Sequence, residues 1–146
     1  MPFLKVYLHI VWSTKNREPF LIEPNLRSAM WEHIRTNAKK KGIYIDTING
    51  YAEHCHCLIS LGNEQSISTV MQLIKGESAF WFNKQKFIND KFQWQDEYFA
   101  ISVSESMLEK TRAYIRNQEE HHKRKSFKEE YNYFLKRYGF ENDKRI

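Results

Sequence analysis

Apolar and polar positions divide the chain into strand-like and helix-like segments. Residues 3–14, 43–48 and 51–61 alternate in the manner of strands, and residues 98–104 have the branched and aromatic composition of one. Residues 25–41, 66–83, 105–123 and 126–139 instead carry apolar residues every three or four positions, which is typical of helices. The predicted order is therefore β-α-β-β-α-β-α-α.

Local signals set several element ends. Asn49-Gly50 lies between two strand-like segments and predicts a tight hairpin turn, because such turns require two positive φ angles. Ser126 and Glu129 have the spacing of a capping box, and Gly139 lies where the last helix should end.

The order of the first six elements predicts an α+β, ferredoxin-like (RRM-like) core over residues 3–104. In that arrangement two helices cover one face of an antiparallel sheet, and strands 1 and 3 are neighbours in its middle. The second sheet face is predicted to be open. Helices over 105–123 and 126–139 follow the core, and residues 1–146 form one predicted domain.

Composition narrows the class of protein. The 146 residues include 10 Phe, 8 Tyr and 4 Trp, too many aromatic residues for a disordered chain. No apolar run approaches the roughly 20 residues that cross a membrane, and the N-terminus lacks a secretory leader. The cysteines, Cys55 and Cys57, provide no disulfide framework, so a cytoplasmic location is expected.

Basic charge is unevenly distributed. The formal net charge is +5, with Lys and Arg concentrated in residues 27–41 and again towards the C-terminus. Clustered positive charge attracts nucleic acids. Solvated helix faces explain the same pattern equally well.

A His-x-His pair lies in the predicted third strand. Alternation places His54 and His56 on one face, with Cα atoms roughly 6.5–7 Å apart, so both imidazoles can reach one metal ion. The same alternation sends Cys55 and Cys57 towards the helices and turns Glu53 away from the histidines. An exposed pair of histidines without a ligand is the alternative.

Tyr114 and Gln118 lie four residues apart on the predicted 105–123 helix and therefore share a face. Two imidazoles and a Gln carbonyl would hold a divalent ion without neutralising its charge, and a nearby tyrosine could attack a phosphorus atom. A tyrosine that is merely packed against the sheet is the alternative interpretation.

Five blocks of the chain, in this order and spacing, resemble a known family. The blocks cover residues 9–17, 53–61, 70–81, 92–104 and 114–122. They are similar to the small single-tyrosine transposases of bacterial insertion sequences, which include the repeat-associated tyrosine transposases and belong to the His-hydrophobic-His endonucleases. The resemblance extends over nearly the whole chain.

The resemblance implies site residues and chemistry. His54, His56 and Gln118 would be metal ligands for Mg²⁺ or Mn²⁺, and Tyr114 would be the nucleophile. The implied reaction is metal-dependent cleavage of single-stranded DNA at hairpin-forming element ends. It leaves a 5′-phosphotyrosine and a free 3′-OH. The family also implies a homodimer, in which the tyrosine helix of some members serves the partner subunit, and association with the nucleoid.

Further residues are candidates for DNA contact. The imidazole of His9 falls on the same predicted face as the His54–His56 pair. The complete set consists of His9, Lys15, Arg17, Lys75, Trp94, His121 and His122. Solvated charges are the alternative for the Lys and Arg side chains, and burial beneath the 84–97 loop is the alternative for Trp94.

Two other functions share these features. One is a non-catalytic or domesticated protein that binds single-stranded nucleic acid on the same scaffold. The other is a small metallohydrolase with a water nucleophile, which the lack of a carboxylate-rich ligand set beside the histidine pair disfavours.

Overall fold

The computed structural model describes residues 2–145, so Met1 and Ile146 of the predicted domain lie outside the described residues. The strands are β1 (Tyr7–Ser13), β2 (Tyr44–Tyr51), β3 (His54–Ser60) and β4 (Phe99–Val103). The helices are α1 (Pro24–Lys40), α2 (Ile67–Gln85), α3 (Leu108–Arg116), α4 (Gln118–His121) and α5 (Phe127–Arg137). Within residues 2–145, no helix has both the length and the apolar character needed to cross a membrane.

The four strands form one antiparallel sheet in the order β2-β3-β1-β4. The central pair β1 and β3 places Val11 opposite His56 and Ile10 opposite Cys57. This topology confirms the predicted α+β, ferredoxin-like fold, including the central position of the strand that carries the histidine pair.

One face of the sheet packs against α1 and α2 in a continuous apolar core. The buried side chains of this core include Ile10, Trp12, Cys55, Cys57, Ile59, Met30, Ile34, Met71 and Phe82. Cys55 and Cys57 point into this core, as strand alternation predicts, and behave there as small apolar side chains.

The opposite face is covered, and the prediction of an open face is wrong. Val11 and Phe99 of the sheet pack against Phe127 and Phe134 of α5. Leu58 packs against α3 in the same way. These strand residues would expose apolar surface if the face were open, so burying them favours docking of the C-terminal helices.

The hairpin between β2 and β3 turns at Ala52 and Glu53 rather than at Asn49-Gly50. Asn49 and Gly50 lie within β2, and Gly50 pairs with Cys55. A Cβ atom on Gly50 would lie 2.1 Å from the carbonyl oxygen of His54. This glycine is therefore required for close approach of the two strands and not for a turn.

The predicted helix over 105–123 is interrupted. A 3₁₀ turn over Glu105–Met107 precedes α3, and Asn117 separates α3 from α4 with φ −93° and ψ 16°. The last helix follows its signals, because Ser126 and Glu129 form both bonds of the capping box. The first strand begins at Tyr7, four residues after its predicted start.

Candidate active site

The histidine pair of β3 lies fully buried between the sheet and the C-terminal helices. Nδ1 of His54 donates to Glu53 Oε1 at 2.7 Å, and Nδ1 of His56 lies 2.8 Å from His9 Nε2. These contacts fix both rings with Nε2 facing the space beneath α4 and α5. Such an arrangement, in which one ring nitrogen is held by a neighbour and the other faces a common space, is typical of metal-binding histidines.

Glu53 faces the histidines, contrary to the prediction from alternation. It belongs to the hairpin turn and not to β3, so the strand periodicity does not govern its side chain. Burial opposes ionisation of its carboxyl group, but the bond from His54 and the charges of nearby imidazoles lower the Glu53 pKa overall.

His9 is the second buried partner of the pair. Its ring is 4% exposed and is in edge contact with Phe134, with ring centroids 6.0 Å apart. Burial lowers the pKa of His9 to about 3 and that of His56 to about 4. Both rings are therefore neutral at pH 7, which is the form in which imidazole binds a metal.

Gln118 lies at the first position of α4 and is completely buried. Its Oε1 is 3.0 Å from His54 Nε2, and its Nε2 donates to the Tyr114 carbonyl oxygen at 3.3 Å. Although the helix is interrupted at Asn117, Gln118 and Tyr114 still face the same site.

Glu130 of α5 is a site residue that the sequence analysis did not identify. Its carboxylate is 1% exposed, with Oε1 3.0 Å from His56 Nε2 and 3.2 Å from His122 Nε2. Burial opposes its ionisation, but the bonds from His122 and His56 hold the pKa of Glu130 well below its usual range. The available signal was the helical period, which places residue 130 three positions after the buried Phe127.

Tyr114 connects to the same carboxylate. Its hydroxyl donates a short hydrogen bond to Glu130 Oε2, and its ring lies 5.7 Å from that of His56. Burial and the adjacent negative charge raise the pKa of Tyr114. The hydroxyl is therefore protonated in this arrangement, and the single carboxylate of Glu130 links it to the histidine cluster.

His121 and His122 both lie at this site. His122 stacks on Tyr51, and its Nε2 is 3.0 Å from Gln118 Oε1. His121 Nε2 approaches Glu130 Oε2 to 3.3 Å without hydrogen-bond geometry.

The donor atoms of this cluster fit a divalent metal ion. Ligand atoms of His54, His122 and Glu130 all lie within 4.8 Å of one another. Three separations between prospective ligand atoms, for the pairs His54–Gln118, His56–Glu130 and His122–Gln118, are each 3.0 Å. Adjacent ligands about 2.1 Å from an octahedral ion are themselves about 3.0 Å apart.

The hydrogen-bonding pattern also indicates that the cluster can hold a metal ion. When His54 Nδ1 donates to Glu53, its Nε2 offers a lone pair towards the acceptor oxygen of Gln118. The Gln118 amide cannot be reversed without cost, because its nitrogen already faces the oxygens of Tyr114 and Glu130. Lone pairs that converge in this way suit a cation between them.

The remaining candidates for DNA contact have different environments. Trp94 is buried and donates a hydrogen bond to Ser78 Oγ at 2.9 Å. Its environment is therefore that of the alternative interpretation, burial beneath the loop. Lys75 donates to the carbonyl oxygens of Gln95 at 2.5 Å and Asp96 at 2.9 Å, which holds the loop before β4. The side chain of Lys15 is exposed, and its backbone pairs with Gln93.

Arg17 lies beside the buried site. Its guanidinium carbon is 5.3 Å from the ring centre of Phe127 and 5.1 Å from that of Tyr131. Phe127 also stacks on His54, with ring centroids 4.2 Å apart. A cavity of about 330 Å³ opens here, lined in part by Arg17, Tyr131, Gln95 and Tyr98.

Comparisons with known proteins agree on one family. The family model described as "Transposase IS200 like" matches residues 3–118. A curated relative, the ISDra2 transposase TnpA of Deinococcus radiodurans, is 25% identical over 115 residues, which cover 75% of this chain and 81% of the relative.

Solved structures share the fold. A Deinococcus radiodurans R1 protein provisionally described as a transposase superposes with a TM-score of 0.64 and 22% identity, over 80% of this chain and 93% of that one. A REP-associated tyrosine transposase bound to a REP hairpin superposes with a TM-score of 0.61 and 17% identity, over 84% of this chain and 72% of that one.

Proposed function

This chain belongs to the IS200-like transposase family, and from that premise we propose that it cuts and rejoins single-stranded DNA through a covalent bond to Tyr114. The observation that carries the proposal is the contact of Tyr114 with the buried histidine cluster. Its hydroxyl and His56 Nε2 bind opposite oxygens of the same carboxylate, that of Glu130.

The proposed metal ligands are His54, His56 and Gln118. Mg²⁺ or Mn²⁺ bound there would polarise a phosphate oxygen and stabilise the charge that develops on phosphorus. Glu53 and His9 would keep the two ligand rings in orientation through their Nδ1 atoms.

The proposed covalent step is a phosphoryl transfer. The Tyr114 oxygen attacks phosphorus and forms an O–P bond, while the bond from phosphorus to the 3′ oxygen breaks. The phenol loses one proton and the departing 3′ oxygen gains one, so the step needs no net acid or base. A 3′-OH that attacks the phosphotyrosine reverses the step and rejoins a strand without ATP.

Single-stranded DNA with a hairpin is the proposed substrate. A structural neighbour, the REP-associated tyrosine transposase, is bound to a REP hairpin, and this chain has a net charge of +5. The cavity beside Phe127 offers Arg17 and the ring of Tyr131 to a nucleotide next to the histidine cluster.

We further propose a homodimer in which each Tyr114 serves the site of its own chain. The supporting contact is the hydrogen bond of Tyr114 to Glu130 of the same chain. A mixture of Tyr114→Phe and His56→Ala proteins tests this arrangement. It should stay inactive if each tyrosine acts within its own chain, and activity in the mixture would show exchange between subunits.

Covalent trapping tests the main proposal. Protein with Mn²⁺ or Mg²⁺ would be mixed with labelled single strands from both sides of its own gene and separated on denaturing gels. A protease-sensitive adduct should form with the wild type and not with Tyr114→Phe. Tyr133→Phe is the matched control, since Tyr133 is 52% exposed, and should form adduct normally.

Other outcomes identify the competing functions. Cleavage without an adduct, unchanged in Tyr114→Phe, would indicate a metallohydrolase, for which Glu130 now provides the carboxylate that the sequence analysis did not find. Strand binding without cleavage in either metal would indicate a non-catalytic binding protein. Either result overturns the proposed reaction.

A further inference from the structure

Glu130 is a buried carboxylate surrounded by imidazole rings. Its carboxylate is 1% exposed. Its polar contacts within the described part of the chain are the imidazoles of His54, His56, His121 and His122, the Tyr114 hydroxyl and the Gln118 amide. Neither Lys nor Arg is among these contacts, whereas buried carboxylates ordinarily need a cationic partner.

The position of the carboxylate indicates what that cation is. Oε1 faces Nε2 of His56 at 3.0 Å, of His122 at 3.2 Å and of His54 at 3.5 Å. These nitrogens converge on the same small space, and the Gln118 oxygen borders it at 3.0 Å from His54 Nε2. A carboxylate among imidazole and amide ligands is the oxygen donor that Mg²⁺ and Mn²⁺ prefer.

We propose that Glu130 is itself a ligand of the divalent cation, so that α5 completes the metal site. The inference rests on the proposed metal site at His54, His56 and Gln118, and adds a charged ligand to that neutral set. Glu130 lies beyond residue 118, where the match to the family model ends. The ligand therefore comes from a segment that the family model does not cover.

Two consequences distinguish a ligand from a residue that merely packs. Metal binding should stabilise the docking of α5, because the Glu130 carboxylate of this helix faces the donor atoms of the cluster. Glu130→Gln should also weaken the binding of the ion, because it removes the charged ligand. A purely structural hydrogen-bonding role predicts neither effect.

Titration with Mn²⁺, followed by calorimetry and by the electron paramagnetic resonance of free Mn²⁺, tests the assignment without any measurement of activity. Glu130→Gln keeps the size of the side chain and should weaken Mn²⁺ affinity about 10- to 100-fold. Glu130→Asp keeps the charge on a shorter arm and should fall between Glu130→Gln and wild type. Glu129→Gln is the matched control, because glutamine also serves in a capping box, and should bind as wild type.

Hydrogen exchange gives the second readout. Mn²⁺ should slow amide exchange across residues 127–137 in wild type and Glu129→Gln but not in Glu130→Gln. A Glu130→Gln protein that remains folded and binds Mn²⁺ within twofold of wild type would overturn the assignment.

The failure of this inference is separable from failure of the proposed reaction. Weaker Mn²⁺ binding by Glu130→Gln supports the ligand even if no Tyr114 adduct ever forms. If an adduct requires Tyr114 but Mn²⁺ affinity is unchanged in Glu130→Gln, the proposed reaction is supported and the assignment of Glu130 as a ligand is overturned. Failure of the wild-type protein to bind Mn²⁺ would also overturn the assignment of Glu130 as a ligand.

Discussion

The two faces of the sheet carry opposite chemistry on the same strands. Towards α1 and α2, β3 contributes Cys55 and Cys57 to a core in which aromatic and aliphatic side chains fill the space. Towards α3 to α5, it contributes His54 and His56 to a buried polar network. Adjacent residues therefore pack the core on one face and form the proposed metal site on the other, and substitutions on the two faces should have separable effects.

The largest expected effect on stability lies on the apolar face. Phe82 of α2 is fully buried against Phe92, with ring centroids 4.8 Å apart. Phe82→Ala should lower the free energy of unfolding by about 3–5 kcal/mol, because it removes buried surface and leaves a cavity. Urea denaturation measures this change.

Phe80 provides the control for that experiment. It lies on the same helix but is 69% exposed, so Phe80→Ala should change the free energy of unfolding by no more than about 0.5 kcal/mol. Under native conditions both variants should bind Mn²⁺ as wild type does. A large loss of metal affinity in Phe82→Ala would show that the two faces are not separable.

The next effect lies on the polar face and should appear in metal binding. His9→Phe keeps an aromatic ring but removes the 2.8 Å contact that holds His56 Nδ1. Mn²⁺ affinity should fall about 10- to 100-fold, as is usual when the partner of a metal-binding histidine is lost. His9→Gln retains a hydrogen-bonding group and should lose less. Equal affinities in all three proteins would contradict a positioning role for His9.

The smallest effect concerns an ion pair that ties the covering helices to the sheet edge. Arg112 of α3 donates to both oxygens of Asp46 on β2, at 2.9 and 2.8 Å. The hydrogen bond from Arg112 lowers the pKa of Asp46, although partial burial opposes the shift. Asp46→Asn should therefore lower the free energy of unfolding by about 1 kcal/mol at pH 7.

The pH dependence of the free energy of unfolding tests whether this stabilisation comes from the charge of Asp46. An aspartate in the unfolded chain has a pKa of about 3.9, and folding lowers the Asp46 pKa below that value. The stabilisation is complete above the unfolded value and disappears as the pH falls through the folded one. Unfolding curves of wild type and Asp46→Asn should therefore converge in acid. A difference that persists at low pH would indicate lost packing.

Strand periodicity predicted the site where the residues belong to regular strands, and misled where they do not. His9, His54 and His56 share a face as alternation requires, since each lies within β1 or β3. Glu53 lies in the turn, where alternation has no meaning, and its side chain reaches His54. The hairpin was predicted three residues too early, because a glycine is also needed within a strand where a side chain would collide with the neighbouring strand.

Exposure was the property least accessible from the sequence. Lys75 and Trp94 have the composition of a nucleic-acid surface, but both stabilise the loop before β4. Whether a basic or aromatic residue faces solvent depends on what packs over it, and the pattern within one segment does not contain that information.

The sequence by itself determined the order of the elements up to β4 and the face of each strand residue, because these follow from local periodicity. It determined the family through the resemblance of five blocks of residues. Only the tertiary structure decided that α5 closes over the histidines and brings Glu130 between His56 and Tyr114. Glu130 is 74 residues from His56 along the chain. A contact over that distance arises when apolar surface on the sheet and on α5 is buried together.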